Sequence, residues 1–223
     1  CDIGNEIINK VDDIILLAKI EAGKVDSIKA PYSVTTLIYE LSEEAVKKVK
    51  DKSVKFFVEI GEDIVDKVIG DADKIKNIMT RLLDNAIKYT REGSITLSVD
   101  CYRYPEDKRL EDMVNVIFSV SDTGIGIQED RIDTIFEVYN IADNVKNSIH
   151  SGNGVSLAIA KGYASLMEGE LEVESVYGAG ATFTLSLNQK SADKLTSNLG
   201  IQKIEGTVSK EAAEKLWLPE VNA

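Results

Sequence analysis

The chain is poor in cysteine and has no long apolar run. Its two cysteines, Cys1 and Cys101, cannot build a disulfide framework, and nothing near them has metal-ligand spacing. No apolar stretch approaches the roughly 20 residues that span a bilayer, and the first residues lack the charged-then-apolar pattern of a signal peptide. These absences favour a reducing compartment. We therefore expect a cytoplasmic location, with any membrane anchor of a longer parent protein lying upstream.

Basic residues are also scarce. The chain has 26 lysines and arginines against 38 acidic residues, which gives a net charge of −12 over 223 residues. A surface of that sign repels phosphate backbones and anionic lipid, so we expect neither nucleic acid nor a membrane surface as a partner. The length allows one main domain with a small appended element.

Residues 81 to 90 form the first of two informative stretches. They continue a run of apolar residues at helical spacing, which predicts a helix packed against a core. Asn85, Lys88 and Tyr89 are three and four residues apart, so they share the opposite edge of that helix, where they can face a ligand. The apolar positions are Ile75, Ile78, Met79, Leu82, Leu83, Ala86 and Ile87.

The second stretch, residues 121 to 127, ends a strand that is predicted from apolar residues at every second position. It brings the carboxylate of Asp122 next to Gly124 and Gly126, where the backbone has to pass close to something flat or phosphorylated. Together the two stretches describe a nucleotide pocket. The alternating positions of the strand are Val114, Val116, Phe118 and Val120.

The pattern along the whole chain predicts an α+β fold, an α/β sandwich with a mixed, mostly antiparallel sheet and three helices on one face. Asp71 is a good N-cap for the helix that carries Asn85. Besides the elements above, we expect helices at residues 3–20, 37–49, 128–140 and 155–167, strands at 54–60, 65–69, 94–103, 170–176 and 181–187, a connection at Pro31 and an irregular segment at 141–153.

The first predicted helix carries an apolar seam with alternating four- and three-residue spacing. Such a seam is typical of a helix that packs on another helix, so we expect this helix to need a partner. The seam consists of Ile7, Val11, Ile14 and Ala18, flanked by Ile8 and Ile15.

Short motifs follow one another in a fixed order: Asn85 with Lys88, then residues 122–126, Phe136, residues 152–157 and residues 178–183. Their order and spacing resemble the N box, the first glycine box, the F box, the second glycine box and the closing glycine-threonine segment of the sensor histidine kinases of two-component systems. The resemblance covers residues 3 to 188. It implies the Bergerat ATP-binding fold that these kinases share with gyrase and chaperone ATPases, with ATP and Mg²⁺ as cofactors.

Two side chains carry the chemistry that the resemblance implies. Asp122 suits adenine, because a carboxylate accepts from the exocyclic amino group and would face the carbonyl of guanine unfavourably. The alternative is a strand-end aspartate that starts a turn. Asn85 offers an amide oxygen to Mg²⁺, whose other ligands are typically waters and substrate phosphates, and its alternative is a solvated helix asparagine.

Further nucleotide contacts are predicted around these two residues. Lys88 can meet a phosphate as a point charge or stay solvated, and Tyr89 can stack along the base or fill the core. Gly152 and Gly154 open a helix whose N–H groups can cradle phosphates, and residues 141–153 are either a mobile lid or an ordinary surface loop. The remaining members of the predicted site are Gly124, Gly126, Val155, Ser156, Leu157 and Thr182.

Arg81 departs from the family pattern. Its position is Asn in most histidine kinases and Glu in the related water-activating ATPases, and a guanidinium cannot act as a general base near neutral pH. We expect Arg81 either to hold the phosphates or to pair with Asp84 or Asp71. A second departure, Val155 and Ser156 in place of Leu-Gly, is expected to stiffen the hinge of the lid.

The resemblance implies that the chain is part of a longer kinase. Residues 1–24 correspond to the second helix of a dimerisation and histidine-phosphotransfer hairpin, residues 31–190 to the catalytic ATP-binding domain, and residues 191–223 to a linker or tail that leads to a receiver domain. The family's acceptor histidine lies on an upstream helix. His150, the one histidine of the chain, is expected to be a solvated loop residue.

The implied function is transfer of the γ-phosphate of ATP to a histidine outside the chain. A homodimer through the helical hairpin and a response regulator or fused receiver domain are the implied partners. Two other functions stay open. One is a degenerate, nucleotide-sensing scaffold without phosphotransfer, which Arg81 and Ser156 would favour. The other is a serine kinase of the anti-sigma type, which would not need the seam helix.

Overall fold

The computed structural model describes residues 2–50, 52–104, 112–137 and 155–192, and the side chains of the first helix from residue 8 onward. In chain order the elements are α1 (Asp2–Glu21), β1 (Ala30–Ser33), α2 (Val34–Val49), β2 (Ser53–Ile60), β3 (Lys67–Gly70), α3 (Ala72–Tyr89), β4 (Glu92–Arg103), β5 (Met113–Asp122), α4 (Glu129–Ile132), α5 (Ser156–Leu166), β6 (Glu170–Val176) and β7 (Gly180–Ser191).

The strands form one mixed sheet of seven strands within the described residues. β5 lies between β4 and β7, and it is antiparallel to both. β2 is parallel to β4 at one edge. On its other side β7 pairs with β6 along its first half and with β3 at its far end, and β1 extends the sheet beyond β3. The predicted mixed, mostly antiparallel sheet is confirmed.

Helices α2, α3 and α5 cover one face of this sheet, as the sequence predicts. Every second residue of β5 is buried under them, and Phe118 is fully buried. The alternate residues face the other way, where Ser119 and Thr184 have their hydroxyls 3.3 Å apart. α3 buries its entire predicted stripe, and each large apolar side chain so buried contributes about 1.5–3 kcal/mol. The stripe comprises Ile75, Ile78, Met79, Leu82, Leu83, Ala86 and Ile87.

Three predicted elements differ from the structure. β1 was expected to be a connection because of Pro31, but it pairs with β3 as the edge strand, where a missing N–H is tolerated. The strand expected at residues 65–69 lies at Lys67–Gly70. The helix expected at residues 128–140 is reduced to Glu129–Ile132, because it has no side-chain cap and buries no residue.

Some predictions fall outside the described residues. These are the lid at residues 141–153 and the tail from residue 193 onward. Among the described helices, none combines the length and the hydropathy that a bilayer crossing requires.

Helix α1 packs through one face against α5 and the hydrophobic core. Leu17 is buried, and Leu16 and Ile20 pack against the core from the same side of the helix. The opposite side carries the predicted seam, which is exposed in its described part: Ile8, Val11, Ile14 and Ile15 are 46–59% exposed. α5 is thus the main neighbour of α1, and the described side chains of the seam face remain exposed.

Asp71 caps α3 and also anchors the segment that follows α1. Its carboxylate is 4% exposed, and it accepts hydrogen bonds from the backbone N–H of Lys74 (3.1 Å), the ammonium of Lys74 (2.7 Å) and the backbone N–H of Ile28 (2.8 Å). Burial acts to raise the pKa of Asp71, but these hydrogen bonds outweigh it, and the pKa lies below its ordinary value. The predicted N-cap is confirmed.

Replacing this cap should destabilise the fold. Asp71→Ala is expected to lower the free energy of unfolding by about 1–2 kcal/mol, because an N-cap hydrogen bond and a paired carboxylate are lost. Since the native pKa lies below that of an unfolded aspartate, about 3.9, the contribution is present above that pH and is lost as pH falls through the native pKa. Urea unfolding should therefore separate the two proteins at about pH 7 and bring them together in acid. Asp73→Ala, an exposed change in the same helical turn, is the control, and an equal loss in both variants would contradict the capping role.

Candidate nucleotide site

Asp122 is the last residue of β5, and its side chain lies on the helix-covered face of the sheet. It continues the buried alternation of the strand and is 9% exposed. Its Oδ1 accepts a hydrogen bond of 2.8 Å from the backbone N–H of Gly124, two residues later. The sheet pairs it with Ala181 on β7. The strand therefore holds a buried carboxylate between the sheet and the end of α3.

Burial raises the pKa of Asp122 above its ordinary value. The backbone N–H groups of Gly124 and Ala181 and the hydroxyl of Thr90 oppose this rise, because each favours the charged form. The Thr90 hydroxyl is fully buried and makes no hydrogen bond of normal geometry in the structure, so its effect on Asp122 comes from proximity. A ligand that donated a hydrogen bond to this carboxylate would offset part of the cost of its burial.

The first glycine box is pressed against the end of α3. A Cβ on Gly124 would lie 2.6 Å from the carbonyl oxygen of Tyr89 and 2.8 Å from Asp122 Oδ1, so no side chain fits there. The N–H of Ile125 donates to the same Tyr89 carbonyl at 3.4 Å. Gly126 has a positive φ of 65°, and a Cβ there would collide with the carbonyl of Val176. The sequence predicts a close approach of both glycines to something flat or phosphorylated, whereas in the structure both lie against the chain's own backbone.

The predicted edge of α3 faces away from the core. Asn85 is half-buried, and its amide makes no hydrogen bond with another described residue, which leaves its oxygen available to a ligand. Lys88 is exposed, with Nζ 5.0 Å from the centre of the Tyr89 ring. Tyr89 is 37% exposed and therefore does not fill the core.

The start of α5 supplies the next group of predicted residues. Val155 is buried, Ser156 and Leu157 are half-buried, and among the described residues no side chain caps the first turn of the helix. The first N–H groups of α5 thus have no side-chain acceptor. Gly152 and Gly154 lie outside the described residues.

Phe136 and Thr182, two further residues of the predicted motifs, contact other side chains of the fold. Phe136 packs edge-on against Phe183 of β7, with ring centres 6.3 Å apart, and Lys161 of α5 lies 5.4 Å from its ring. The Thr182 hydroxyl is 2.9 Å from that of Ser121, on the face of the sheet opposite Asp122. The structure therefore does not bring Thr182 to the carboxylate.

Arg81 has other partners than the sequence suggested. Asp84 pairs with Lys48, and Asp71 pairs with Lys74, so neither expected pairing with Arg81 forms. The guanidinium instead makes two hydrogen bonds with Asp13 of α1, Nη2 to Oδ1 at 2.7 Å and Nη1 to Oδ2 at 3.1 Å. The sequence gives little sign of this pair, because the two residues are 68 positions apart.

Two further contacts complete the surroundings of Arg81. Its Nε donates to the side-chain oxygen of Asn77 at 2.8 Å, and its Nη1 lies 3.4 Å from the hydroxyl of Ser156. The two positions that depart from the family pattern, Arg81 and Ser156, therefore meet in space. In the sequence they are 75 positions apart.

The described residues allow a Mg²⁺ site only if the nucleotide supplies ligands. No group of three or more acidic, histidine or cysteine side chains in the described ranges could hold a metal by itself. Mg²⁺ in nucleotide sites keeps several waters and binds substrate phosphates together with one or two protein oxygens. The free amide oxygen of Asn85 fits that requirement.

Comparison with known proteins identifies the family. Residues 70–191 match the family described as histidine kinase-, DNA gyrase B- and HSP90-like ATPases. This match covers more than half of the chain, which therefore belongs to that family. The expected family is confirmed, and the matched segment contains α3, β5, α5 and β7.

Two curated relatives are a bacterial sensor protein and a bacterial sensor kinase. The aerobic respiration control sensor protein ArcB of Escherichia coli (strain K12) is 33% identical over 184 residues, which are 82% of this chain and 22% of ArcB. The autoinducer 2 sensor kinase/phosphatase LuxQ of Vibrio harveyi is 29% identical over 223 residues, which are 100% of this chain and 26% of LuxQ. The chain thus spans about a quarter of the length of these curated relatives.

The fold is also found among solved structures. Full-length ShkA in complex with AMPPNP superposes with a TM-score of 0.71 at 23% identity, over 86% of this chain and 37% of that chain. This likeness confirms the predicted fold class.

A substitution at Asp122 tests whether its carboxylate, and not a neighbouring residue of β5, binds ATP. Asp122→Asn is expected to weaken ATP binding by about 1–3 kcal/mol, because an acceptor that carries charge is replaced by a neutral amide. Calorimetric titration measures the difference. The control is Ser121→Ala, which alters the adjacent residue on the opposite face of the sheet. Unchanged ATP affinity in Asp122→Asn would remove Asp122 from the site.

Proposed function

We propose that the chain binds ATP with Mg²⁺ and transfers the γ-phosphoryl group to a histidine on another segment of its parent protein, a two-component sensor kinase. The observation that carries this proposal is the meeting of Asp122, the first glycine box and the end of α3 on the helix-covered face of the sheet. One helical turn before that end, Asn85 presents an amide with no hydrogen bond to another described residue. The site thus offers a base-reading group and a metal ligand on adjacent elements.

The nucleotide would lie along the Asn85 edge of α3, beside the end of β5. Asp122 would accept from the adenine amino group, Tyr89 would line the base, and Asn85 and Lys88 would face the phosphates. Mg²⁺ bound by Asn85 and phosphate oxygens would offset the negative charge of the polyphosphate. Phosphoryl transfer needs little covalent chemistry from the protein, so positioning and charge stabilisation account for the contribution of these residues.

Of the alternatives, the degenerate scaffold rests on Arg81 and Ser156. Nothing in the comparisons favours it. The serine kinase of the anti-sigma type is disfavoured by α1, whose seam face carries Val11 and Ile14 in exposed positions, as a helix in a dimeric bundle requires. We propose that this face joins a homodimer in the parent protein, and that a response regulator or fused receiver domain takes the phosphoryl group from the histidine.

Incubation with labelled ATP and Mg²⁺ tests the transfer. The chain alone should acquire no acid-labile phosphate, because we expect its acceptor histidine on a preceding helix and not at His150. When that helix of the parent protein is supplied as a separate chain, label should accumulate on it. Labelling of His150 would contradict the proposal. Tight ATP binding without transfer would favour the scaffold.

A change at Asn85 tests the metal assignment. Asn85→Ala should remove the gain in ATP affinity that Mg²⁺ provides and should leave adenosine binding nearly unchanged, because adenosine has no phosphates to share a metal. Titrations of ATP with and without Mg²⁺, and of adenosine, make the comparison. Asp84→Asn, an exposed change at the preceding residue, is the matched control. Equal weakening of ATP and adenosine by Asn85→Ala would make Asn85 structural.

A further inference from the structure

Arg81 joins three helices that the sequence separates widely. It belongs to α3, its guanidinium makes a two-bond pair with Asp13 of α1, and one of its nitrogens approaches Ser156, the first residue of α5. The Arg81 side chain is 15% exposed and that of Asp13 is 23% exposed. A paired, mostly buried guanidinium with two parallel hydrogen bonds is among the stronger ion pairs of proteins.

The position of Arg81 relates this ion pair to the proposed phosphate site. Residues four apart share a face of a helix, so Arg81 lies on the same edge of α3 as Asn85, one turn earlier. Its contact with Ser156 places the guanidinium beside the first turn of α5. A guanidinium binds a phosphate with the same forked geometry as a carboxylate. The Asp13 carboxylate therefore occupies the same guanidinium that a phosphate group of ATP would bind.

Apolar side chains add to the docking of α1. Leu17 is the one buried side chain in its described part, and Ile20 meets α5 at Gly162, where a Cβ would lie 2.8 Å from Ile20 Cγ2. The opposite face of α1, including Val11 and Ile15, is exposed. Loss of the Asp13 pair would remove two hydrogen bonds that hold α1 to α3.

We propose that Arg81 is a nucleotide-sensing residue, whose guanidinium exchanges the carboxylate of Asp13 for the polyphosphate of ATP and so frees α1 when nucleotide binds. The proposal rests on the ATP site proposed above and adds a residue and a consequence to it. ATP binding and the docking of α1 are linked. ATP must therefore weaken the docking of α1 by the same factor by which docked α1 weakens ATP binding. Asp13 competes with ATP, and ATP competes with the docking of α1.

Asp13→Asn tests the competition. This variant should bind ATP more tightly than the original protein, by about fivefold or more, because a coupling between two sites is typically of that size. Adenosine affinity should not change, since adenosine has no phosphate to compete for Arg81, and this result also shows that the variant is folded. The matched control is Asp12→Asn, an exposed neighbour with the same loss of charge, which should leave both affinities unchanged.

Hydrogen exchange of the α1 amides tests the release. In the original protein, ATP should increase the exchange of α1 and adenosine should not. In Asp13→Asn, exchange should be high without any ligand. The swapped pair, Asp13→Arg with Arg81→Asp, should restore protection of α1, but ATP should no longer remove it, because the guanidinium now belongs to α1.

The possible failures can be told apart. If the original protein binds neither ATP nor adenosine, the proposed function itself is wrong. If it binds ATP but Asp13→Asn has the same or a lower ATP affinity, Asp13 does not compete with phosphate and the inference is overturned. Equal exchange of α1 with ATP and with adenosine would overturn it as well.

Discussion

The meeting of the end of α3 with the first glycine box is the contact on which the rest of the site depends. The Tyr89 carbonyl lies so close to Gly124 that only a hydrogen fits between them, and the same carbonyl accepts from Ile125. This contact fixes the last turn of α3 relative to the end of β5. It thereby sets where Asn85 and Asp122 stand with respect to each other, although the two residues share no direct bond.

The buried stripe of α3 supplies the energy that maintains this contact. Seven apolar side chains on one helix face the sheet, and the hydrogen bonds to Asp71 hold its first turn. With the helix so fixed, the protein can keep a carboxylate in a buried position at Asp122 despite the cost that its raised pKa reflects. The Asp122 carboxylate is a buried acceptor whose hydrogen bonding is incomplete. A ligand that donates a hydrogen bond to it would complete that bonding and so gain affinity.

The sequence predicted what local patterns determine. The stripe of α3 and the alternation of β5 are short-range signals, and they were sufficient to place Asn85 and Asp122 on facing elements. β1 was missed because its pairing depends on the distant β3, and α4 proved shorter because no burial supports it. The pair of Asp13 with Arg81 could not be read at all, since it depends on how α1 returns to α3 and α5.

Long-range contacts thus determine the one part of the site that departs from the family. Arg81 and Ser156 look like two independent losses in the sequence, but in the structure they are neighbours around one guanidinium. A substitution that weakens a family motif can therefore acquire a partner elsewhere in the chain. In this protein the partner is an acidic residue on α1, the helix that packs against α5.

The most direct test of the account is a map of the residues that respond when AMPPNP and Mg²⁺ are added to the isotope-labelled chain. Nuclear magnetic resonance should show the largest shifts in the backbone amides of Thr90, Gly124 and Gly126 and in the side-chain amide of Asn85. Adenosine alone should shift the first three and leave the Asn85 amide nearly unchanged. Shifts confined to other surfaces, or none at saturating nucleotide, would contradict the claim that the end of α3 and the glycine box form a nucleotide site.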